Sequence, residues 1–556
     1  MIAICQSKAE IDIIKKKYKN LFTVLALNLE TILFCKNNKI DFIFPFDKSN
    51  YHQITKKILT KSKNFLDSLN LSSLKYNFLK NDLKAIMRYK VHQVSFLIET
   101  INNLNLKNEK IIFTDLYSSS KFSDYDKDYI DIEQTLGILN LNNSEKIETR
   151  KKSLLNNSKA FKYKITGLRY PNDKKVIFNN AGYNFKRFFL YFFKRKIKIS
   201  IPADNLSTFK KFIFKILGFE LYSFKEVEDI SNETLIDEIK FKYFYDEYDI
   251  TKILDKELKD CENYLINLKE KYKAILKYFD DSNFKLVLCN TNRDIGSILF
   301  QAANTKKINN IIVSHGTVSE SYDEFDKIYK DYIAQGVFLG DSGIKAVQSK
   351  LTKKFVKEKE ISGKIIETGN LVFSENLQNK NFNKRFILYA VTIKRLPALQ
   401  LHGVEYFFEF YQNLEILNNT VNSINVPIIV HLHPGAKKNL QDFKKIFKNL
   451  IFKTGDISKS LKKSFMTISY SSTVIEDSLY NKIPVLLLDL HKKNYIHFQS
   501  SKDPSKMNEA LYYMNNISDM EKCIQTIKKS RNINFEDYIF NENSVNNINR
   551  LLKNYF

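Results

Sequence analysis

The feature that most constrains the fold is the alternation of short apolar runs with longer amphipathic stretches. From the N-terminus, runs rich in β-branched and aromatic residues lie at Ile2–Cys5, Phe22–Leu27, Asp41–Phe44 and Lys110–Asp115. The segments between them have helical periodicity. This pattern is typical of βαβ units, which pair their strands in a parallel sheet. The sequence therefore predicts an α/β protein.

The same alternation continues through the middle of the chain. Apolar residues recur at helical spacing over residues 80–103, which predicts one long helix. Further strands are predicted at Lys174–Asn179 and Lys196–Ser200. Residues 226–283 are acidic and rich in Tyr with helical periodicity, so we expect a helical excursion there.

A second series of predicted strands begins near Lys285, and its members end in Gly, Asn or His. These strands are Lys285–Cys289, Asn310–Ser314, Asp331–Gln335 and Gly363–Thr368. Ten of the fourteen glycines lie between Gly296 and Gly455, and glycine permits tight turns and the close approach of a ligand to the backbone. This part of the chain is therefore the predicted working surface.

The domain boundaries follow from a segment rich in Asn and Lys at Leu371–Lys384, which predicts a linker. Five strands are predicted after it, at Arg385–Val391, Val426–His431, Leu450–Lys453, Phe465–Tyr470 and Pro484–Asp489. We expect two Rossmann-like domains that face a cleft. Residues 1–370 would form the first of these domains with the helical insertion, 385–500 the second, and 501–556 the C-terminal helices.

The formal charge of +26 favours contact with an anionic partner, which includes nucleic acid, anionic lipid and anionic substrates. An AT-rich coding bias explains the same excess of Lys, because Asn, Ile, Phe and Tyr are also abundant while Trp is absent. Two aromatic and basic segments, Phe185–Lys198 and Phe209–Lys215, fit either a membrane surface or a core-facing aromatic side with cations in solvent.

The five cysteines are scattered and none belongs to a C-x-x-C pair, so neither a disulfide framework nor a thiolate zinc site is predicted. The sequence has no signal-like start and no apolar run near ~18 residues. We therefore expect a cytoplasmic protein, with a peripheral position at the inner membrane face as an open alternative.

Three clusters of polar residues follow predicted strands, where doubly wound folds bind ligands. The first is His431-Leu-His433-Pro434-Gly435. Pro434 suits the first position of a helix, which places His433 beside a helix N-terminus and predicts a phosphate contact. The two histidines also permit a metal, but no third ligand stands near them, so no metal is predicted.

The second cluster is Ser469-Tyr-Ser471-Ser472-Thr473-Val-Ile-Glu476. Hydroxyls at the start of a helix, with its free N–H groups, make an anion site. Thr473 and Glu476 also match a capping box, in which Thr caps the helix and Glu bonds the N–H of the cap. The sequence leaves ligand binding and capping open.

The third cluster is Ser314-His315-Gly316-Thr317, which ends another predicted buried strand. A histidine suits proton transfer near neutral pH, so His315 is the first candidate for a general base. Asp294, in Asn292-Arg-Asp294, is the second candidate.

The order of motifs along residues 285–500 resembles that of GT-B glycosyltransferases of bacterial capsule and wall-polymer synthesis. The motifs that carry this resemblance are Ser314-His-Gly-Thr317, Asp331-Tyr-Ile-Ala-Gln-Gly336, Glu367-Thr-Gly-Asn370, Leu388-Tyr-Ala390, His433-Pro434, Ser471-Ser-Thr473 and Lys482-Ile-Pro484. They are similar to motifs of CDP-glycerol glycerophosphotransferases, capsule enzymes, and sialyl- and Kdo-type transferases.

The resemblance implies roles for several residues. His431, His433, Pro434, Gly435, Ser471, Ser472 and Thr473 would bind the phosphate of a nucleotide-activated donor, which we expect to be CMP- or CDP-linked. Glu476 would hold the ribose hydroxyls, and His315 would act catalytically. No separate cofactor is implied. The acceptor would be a surface polysaccharide or a lipid-linked precursor.

Two other functions fit parts of the sequence. A nucleotide-sugar 2-epimerase shares the fold and much of the donor site, although it does not need the large N-terminal half. A basic nucleic-acid-binding protein fits the charge, but Lys is spread along the whole chain and no RNP-type motif occurs, so nucleic acid is not an expected partner.

Overall fold

The computed structural model describes the chain except for residues 20, 47, 117–129, 142, 150–161, 168–172, 182–184, 205, 228–233, 237–238, 314–317, 339, 341, 370, 372–384, 391–405, 471, 493–499 and 541–543. The described residues form three sheets of mainly parallel strands, each packed against helices. The predicted α/β class with Rossmann-like sheets is confirmed. Residues 1–370 contain two of these sheets rather than one.

The first sheet lies in the N-terminal part of the chain. Its strands are β1 (Ile2–Cys5), β2 (Thr23–Ala26), β3 (Phe42–Ile43), β4 (Ile111–Thr114) and β5 (Ser144–Ile147). They are parallel throughout and lie in the order β3-β2-β1-β4-β5. The accompanying helices are α1 (Lys8–Tyr18), α2 (Leu29–Asn38), α3 (Lys48–Ser68), α4 (Asn77–Asn103), a 3-10 turn (Leu106–Asn108) and α5 (Ile132–Ile138). Helix α4 confirms the long helix predicted over residues 80–103.

The second sheet has eight strands, and a two-stranded hairpin (β10 and β11) stands apart from it. The strands of this region are β6 (Lys162–Thr166), β7 (Lys175–Phe178), β8 (Lys198–Pro202), β9 (Glu220–Val227), β10 (Phe244–Tyr245), β11 (Tyr248–Asp249), β12 (Phe284–Cys289), β13 (Asn309–Val313), β14 (Ile344–Val347) and β15 (Lys364–Glu367). The sheet order is β15-β14-β13-β12-β7-β8-β9-β6, and only the edge strand β6 is antiparallel to its neighbour.

Six helices belong to this second region. They are α6 (Lys186–Lys194), α7 (Thr208–Ile216), α8 (Thr251–Asp280), α9 (Ile295–Thr305), α10 (Glu324–Val337) and α11 (Lys350–Glu358). Helix α8 accounts for most of the helical excursion predicted over residues 226–283.

The strand predicted at Asp331–Gln335 is wrong, because these residues lie inside α10. Asp323 caps this helix by accepting a hydrogen bond from the backbone N–H of Asp326 (2.7 Å). Phe325, Tyr329 and Tyr332 are buried at helical spacing. A short apolar run cannot by itself be distinguished from part of a helix. The strand that pairs with β13 in the sheet is β14.

The third sheet contains six parallel strands. They are β16 (Phe386–Ala390), β17 (Ile428–His431), β18 (Ile451–Lys453), β19 (Ser464–Ser469), β20 (Val485–Leu488) and β21 (Leu511–Met514), in the order β18-β17-β16-β19-β20-β21. Its helical segments are α12 (Phe407–Ile424), a 3-10 helix (Pro434–Asn439), α13 (Leu440–Ile446), α14 (Ser458–Leu461), α15 (Val474–Tyr480), α16 (Ser518–Lys529) and α17 (Ser544–Leu552). Residues 501–556, predicted as helices, also supply β21.

In the first and third sheets, the chain starts in the middle, builds strands to one side, and then returns to build the other side, which is the Rossmann order. The second sheet follows the same order from β7 onward, whereas β6, its first strand in the chain, lies at the edge. The strand order therefore reverses between β1 and β4, between β7 and β12, and between β16 and β19. Ligands of such sheets bind outside the carboxyl ends of the strands at this reversal, so the topology marks three edges at which to look for a site.

Candidate functional site

The reversal point of the second sheet carries a cluster of amide side chains. Asn179 and Asn180 follow β7, and Asn290 follows β12. The Nδ2 of Asn180 donates to Oδ1 of Asn290 (2.7 Å), and the Nδ2 of Asn179 donates to the same oxygen (3.2 Å) and to Oγ1 of Thr291 (3.1 Å). Amides carry both donors and acceptors, so this edge is equipped to bind a hydroxylated ligand.

The loop after β12 is held tightly against the end of α10. The backbone N–H of Asn292 donates to the carbonyl of Gly336 (3.0 Å). A Cβ at Gly336 would stand 2.1 Å from the guanidinium of Arg293, and a Cβ at Gly340 would stand 2.0 Å from the amide of Asn292. A side chain at either glycine would therefore push the side chain of Arg293 or Asn292 out of its present place.

Asp294 lies at the start of α9 with a φ of 48°, which a non-glycine residue adopts at a cost of roughly 1–3 kcal/mol. Its Oδ1 accepts a hydrogen bond from the hydroxyl of Tyr264 (2.6 Å). Strained residues of this kind concentrate at functional sites, where the surrounding structure holds them in place. The second candidate for the general base therefore lies at the reversal point of the second sheet.

A buried carboxyl group from the N-terminal region lies close to Asp294. Burial raises the pKa of Asp82, on α4, well above its ordinary value, the negative charge of Asp294 raises it further, and Arg293 opposes the shift. Two carboxyl groups and one guanidinium therefore interact electrostatically at this edge. Perturbed carboxyl groups of this kind are frequent in active sites.

His315 follows β13, the next strand along the same sheet, in the sequence. Strand β13 pairs in parallel with β12, with Ile312 opposite Cys289, and ends at Val313. Its carboxyl end therefore opens on the same edge as the amide cluster. Residues 314–317 lie outside the described residues, so the role of His315 stays a prediction.

In the third sheet, His431 and His433 lie in different environments. His431 is the last residue of β17 and is buried, and burial lowers its pKa while the charge of Asp456 opposes the shift. His433 lies beyond the strand and is exposed. Pro434 and Gly435 open a 3-10 helix, as the sequence predicted for Pro434. Among the described residues, no group of three or more metal-ligating side chains occurs.

The hydroxyl cluster after β19 lies at the reversal point of the third sheet. The Oγ of Ser469 donates to the carbonyl of Ala390 (3.1 Å), which joins the ends of β19 and β16. Ser472 is buried, and its Oγ accepts from the backbone N–H of Val474 (3.3 Å). Ser471 lies outside the described residues. The topology thus places this segment where Rossmann-type sheets bind ligands.

The capping-box interpretation of Thr473 and Glu476 is wrong. Thr473 makes no side-chain bond to the helix end. The carboxylate of Glu476 instead accepts hydrogen bonds from Oγ1 of Thr352 (2.9 Å) and from the hydroxyl of Ser349. Burial raises the pKa of Glu476 to about 7, and these two hydroxyl groups limit the shift.

Glu476 therefore joins the carboxyl edges of two sheets. Ser349 and Thr352 lie after β14 in the second sheet, whereas Glu476 follows β19 in the third. The hydroxyl of Tyr480 makes a second link by donating to the carbonyl of Gln348 (2.5 Å). The carboxyl edges of the second and third sheets thus face each other, which agrees with the predicted arrangement of two Rossmann-like domains.

Several residues of this site were missed by sequence reasoning. Asn179 ends a predicted strand, and Asn180 and Asn290 directly follow predicted strands, so the strand-end rule that selected His315 also applied to them. Asp82 carried no comparable signal, because it lies within a long helix that is distant in sequence from the sheet it approaches.

A cavity of about 480 Å³ opens elsewhere, at the amino edge of the third sheet. Arg385 and Val426, which precede β16 and β17, line it together with Lys482 and Lys528. It lies at the opposite ends of the strands from the hydroxyl cluster. This cavity is therefore not the predicted donor site.

No protein-family model and no curated protein matches the chain. Among solved structures, the UDP-GlcNAc 2-epimerase of Methanocaldococcus jannaschii in complex with UDP-GlcNAc and UDP has 15% sequence identity, covers 68% of this chain and 99% of its own, and has a TM-score of 0.41. A variant of S. aureus TarM in complex with Fondaparinux, alpha-GlcNAc-glycerol and UDP has 13% identity, covers 69% and 97%, and has a TM-score of 0.36. Similarity at this level does not identify a function, and the fold assignment rests on the three sheets described above.

Proposed function

We propose that the protein is a sugar-nucleotide enzyme of the glycosyltransferase or polyol-phosphate transferase type, with its reaction between the second and third sheets. The observation that carries this proposal is the link from Glu476 to Ser349 and Thr352. It brings together two Rossmann-type edges, one rich in amides and carboxyl groups and the other in hydroxyls. Such a pair of edges suits a reaction between two bound molecules.

The two edges differ in the ligand that their chemistry favours. The hydroxyl cluster at Ser471 and Ser472, together with exposed His433 beyond the end of β17 at the same edge of the sheet, suits the phosphate of a nucleotide-activated donor. The amide cluster around Asn179 and Asn290 suits the hydroxyl groups of an acceptor. We assign the donor to the third sheet and the acceptor, a surface polysaccharide or lipid-linked precursor, to the second. Donors of this class are made inside cells, which implies a cytoplasmic enzyme.

His315 is the proposed general base, with Asp294 as the alternative. Asp294 lies at the acceptor edge, and His315 follows β13, whose carboxyl end opens on that edge. Removal of the acceptor proton by a general base contributes roughly 10²–10⁴-fold to a rate. The donor nucleotide would leave as its phosphate accepts hydrogen bonds from the hydroxyl cluster.

A nucleotide panel tests the donor assignment. Because the motifs resemble those of cytidine-donor enzymes, CMP or CDP should raise the melting temperature more than UDP, GDP or ADP, since a ligand that binds the native state stabilises it. Equal or larger shifts with UDP would overturn the cytidine assignment. No shift with any nucleotide would overturn the enzyme assignment as well.

Variants at the acceptor edge test the base. His315→Ala should lower turnover, measured as nucleotide release from the stabilising donor, by roughly 10²–10⁴-fold with nucleotide binding unchanged. Asp294→Asn distinguishes the alternative, and the exposed Asp260 on α8 provides a matched control through Asp260→Asn. If only Asp294→Asn lowers turnover, Asp294 is the base. If His315→Ala abolishes nucleotide binding, the division between the two edges is wrong.

A further inference from the structure

Helix α7 presents its apolar side to solvent. Phe209, Phe212, Ile213 and Ile216 follow the i, i+3, i+4, i+7 spacing that normally faces a protein core. Their exposed fractions are 72%, 61%, 38% and 66%. None of the residues of this helix is buried. The apolar stripe of α7 therefore has no partner within the described chain.

The neighbouring helix α6 extends this apolar surface. Its inner residues Phe188 and Phe192 are fully buried, whereas Leu190 and Phe193 are about half exposed. The two helices meet where the rings of Phe189 and Phe214 lie 6.4 Å apart. Because α6 and α7 connect β7, β8 and β9 in sequence, right-handed crossovers place them on the same side of the sheet. We call the exposed apolar residues of α6 and α7 the aromatic face.

Cations surround the aromatic face. Residues 186–215 contain nine Lys or Arg residues and one acidic residue, Asp204. Lys194, Arg195, Lys210 and Lys215 are exposed. A helix with apolar side chains on one stripe and Lys residues beside it is the type that lies in the interface of a bilayer.

We propose that the aromatic face docks the protein onto an anionic lipid membrane surface, with Phe209, Phe212 and Ile216 in the interfacial layer and the surrounding cations on lipid phosphates. Charge complementarity favours lipid over a second copy of the chain, because two such basic faces would repel each other. Nucleic acid supplies phosphates but no apolar phase for a stripe of exposed side chains to enter. A membrane surface supplies both.

This docking requires no membrane-spanning segment. Among the described helices, none combines the length and the apolar character needed to cross a bilayer. The docking depends on the exposure and charge of α6 and α7 alone, so it does not depend on the proposed reaction.

Vesicle flotation tests the proposal with the full chain. The protein should bind vesicles of phosphatidylcholine with phosphatidylglycerol, bind vesicles of phosphatidylcholine alone much less, and lose binding in high salt. The variant Phe209→Ser/Phe212→Ser/Ile216→Ser should lose about 100-fold or more in vesicle affinity. A control with three other exposed apolar residues, Leu21→Ser/Phe244→Ser/Met507→Ser, should bind normally.

The charges are tested in the same assay. Lys210→Gln/Lys215→Gln should lower vesicle affinity by roughly 10-fold. The control Lys444→Gln/Lys448→Gln, at two exposed lysines beside the third sheet, should not. An unchanged melting temperature in each variant shows that folding is intact.

Three results would overturn the proposal. The first is that the natural protein does not bind anionic vesicles, or binds neutral ones as well. The second is that the serine variant with an unchanged melting temperature still binds. The third is that the natural protein does not bind vesicles but forms a concentration-dependent dimer or a complex with nucleic acid, and that the serine variant no longer does so.

Discussion

The edges of the first and third sheets carry the same local sequence signature and use it differently. In the first sheet, Ser7 and Glu10 follow β1, and in the third, Thr473 and Glu476 follow β19. Both pairs match the S/T-x-x-E pattern of a capping box. Burial raises the pKa of each glutamate to about 7. Only the first pair caps its helix.

The conformation of the residue that begins each pair explains the difference. Ser7 is extended (φ −150°, ψ 161°), so its Oγ accepts from the backbone N–H of Glu10 while Glu10 accepts from the backbone N–H of Ser7 (3.0 Å). Thr473 is already helical (φ −55°, ψ −19°), and a cap residue must lie outside the helical region to bond the helix end. Ser472 bonds the N–H of Val474 instead.

The freed carboxylate then takes partners from another sheet. Glu10 stays within its own sheet and also accepts from Oγ1 of Thr114 (3.1 Å). Glu476 accepts from Ser349 and Thr352, which belong to the second sheet. One residue's backbone conformation therefore decides whether a buried glutamate supports one helix or holds two sheets together.

Alanine substitutions should separate these two roles most strongly. Glu10→Ala leaves two buried backbone N–H groups without an acceptor and should lower the free energy of unfolding by about 4 kcal/mol. Glu476→Ala leaves two hydroxyl groups without their acceptor and should lower it by about 2 kcal/mol. Hydrogen exchange should become faster in α1 after Glu10→Ala. It should become faster in both α11 and α15 after Glu476→Ala, because that carboxylate joins them.

The comparison would fail if Glu476→Ala accelerated exchange in α15 alone, because Glu476 would then act locally like Glu10. Glu415→Ala provides a control, since this glutamate is partly exposed and pairs with Lys36 across a surface contact (3.5 Å). A surface pair of this kind should contribute less than about 1 kcal/mol.

The sequence predicted most of the fold because buried parallel strands are continuous apolar runs. Every strand predicted after Leu371–Lys384 overlaps a strand of the third sheet, although the linker lies outside the described residues except for Leu371. The edge strands β5 and β6 were missed, since their exposed, charged residues carry no such signal.

The candidate site was less predictable than the fold. Strand ends point to the correct edges, but the partner of a side chain depends on distant residues. Glu476 meets Thr352, which is 124 positions away, and nothing in the local sequence indicates that contact. The strained φ of Asp294 is likewise a property of its tertiary surroundings, so its place at the site had to come from the structure.

Glutamine substitutions test whether both glutamates titrate as buried groups. A folded-state pKa of about 7, above the ordinary 4.5, means that the folded protein binds these protons more tightly than the unfolded chain. The stability that each group contributes is therefore fully present below about pH 4.5 and is lost as the pH rises to about 7. The shift corresponds to roughly 3–4 kcal/mol per group.

Glu10→Gln and Glu476→Gln keep an acceptor oxygen but have no proton to lose. Each should flatten this part of the stability profile, measured as the denaturation midpoint between about pH 5 and 8. A profile that is unchanged by Glu476→Gln but flattened by Glu10→Gln would show that Glu476 is solvated, which would remove its role between the sheets.

The smallest expected effect is on nucleotide binding by Glu476→Gln. The Oε1 of Glu476 already accepts hydrogen bonds from two hydroxyl groups, and the residue is 5% exposed. We expect the amide oxygen of the glutamine to preserve these bonds, so calorimetry should show less than about a twofold loss of nucleotide affinity. Ser472→Ala, in the proposed phosphate site, should weaken binding clearly in the same titration. Glu10→Gln in the first sheet should leave nucleotide affinity unchanged.

If the charge of Glu476 instead holds the ribose, as the family resemblance implies, Glu476→Gln alone should weaken the binding free energy by about 1.5–3 kcal/mol, which is roughly 10- to 150-fold in affinity. That result would make Glu476 a ligand-binding residue whose side chain is oriented by Ser349 and Thr352. The difference between Glu476 and Glu10 would then be one of function rather than of backbone geometry.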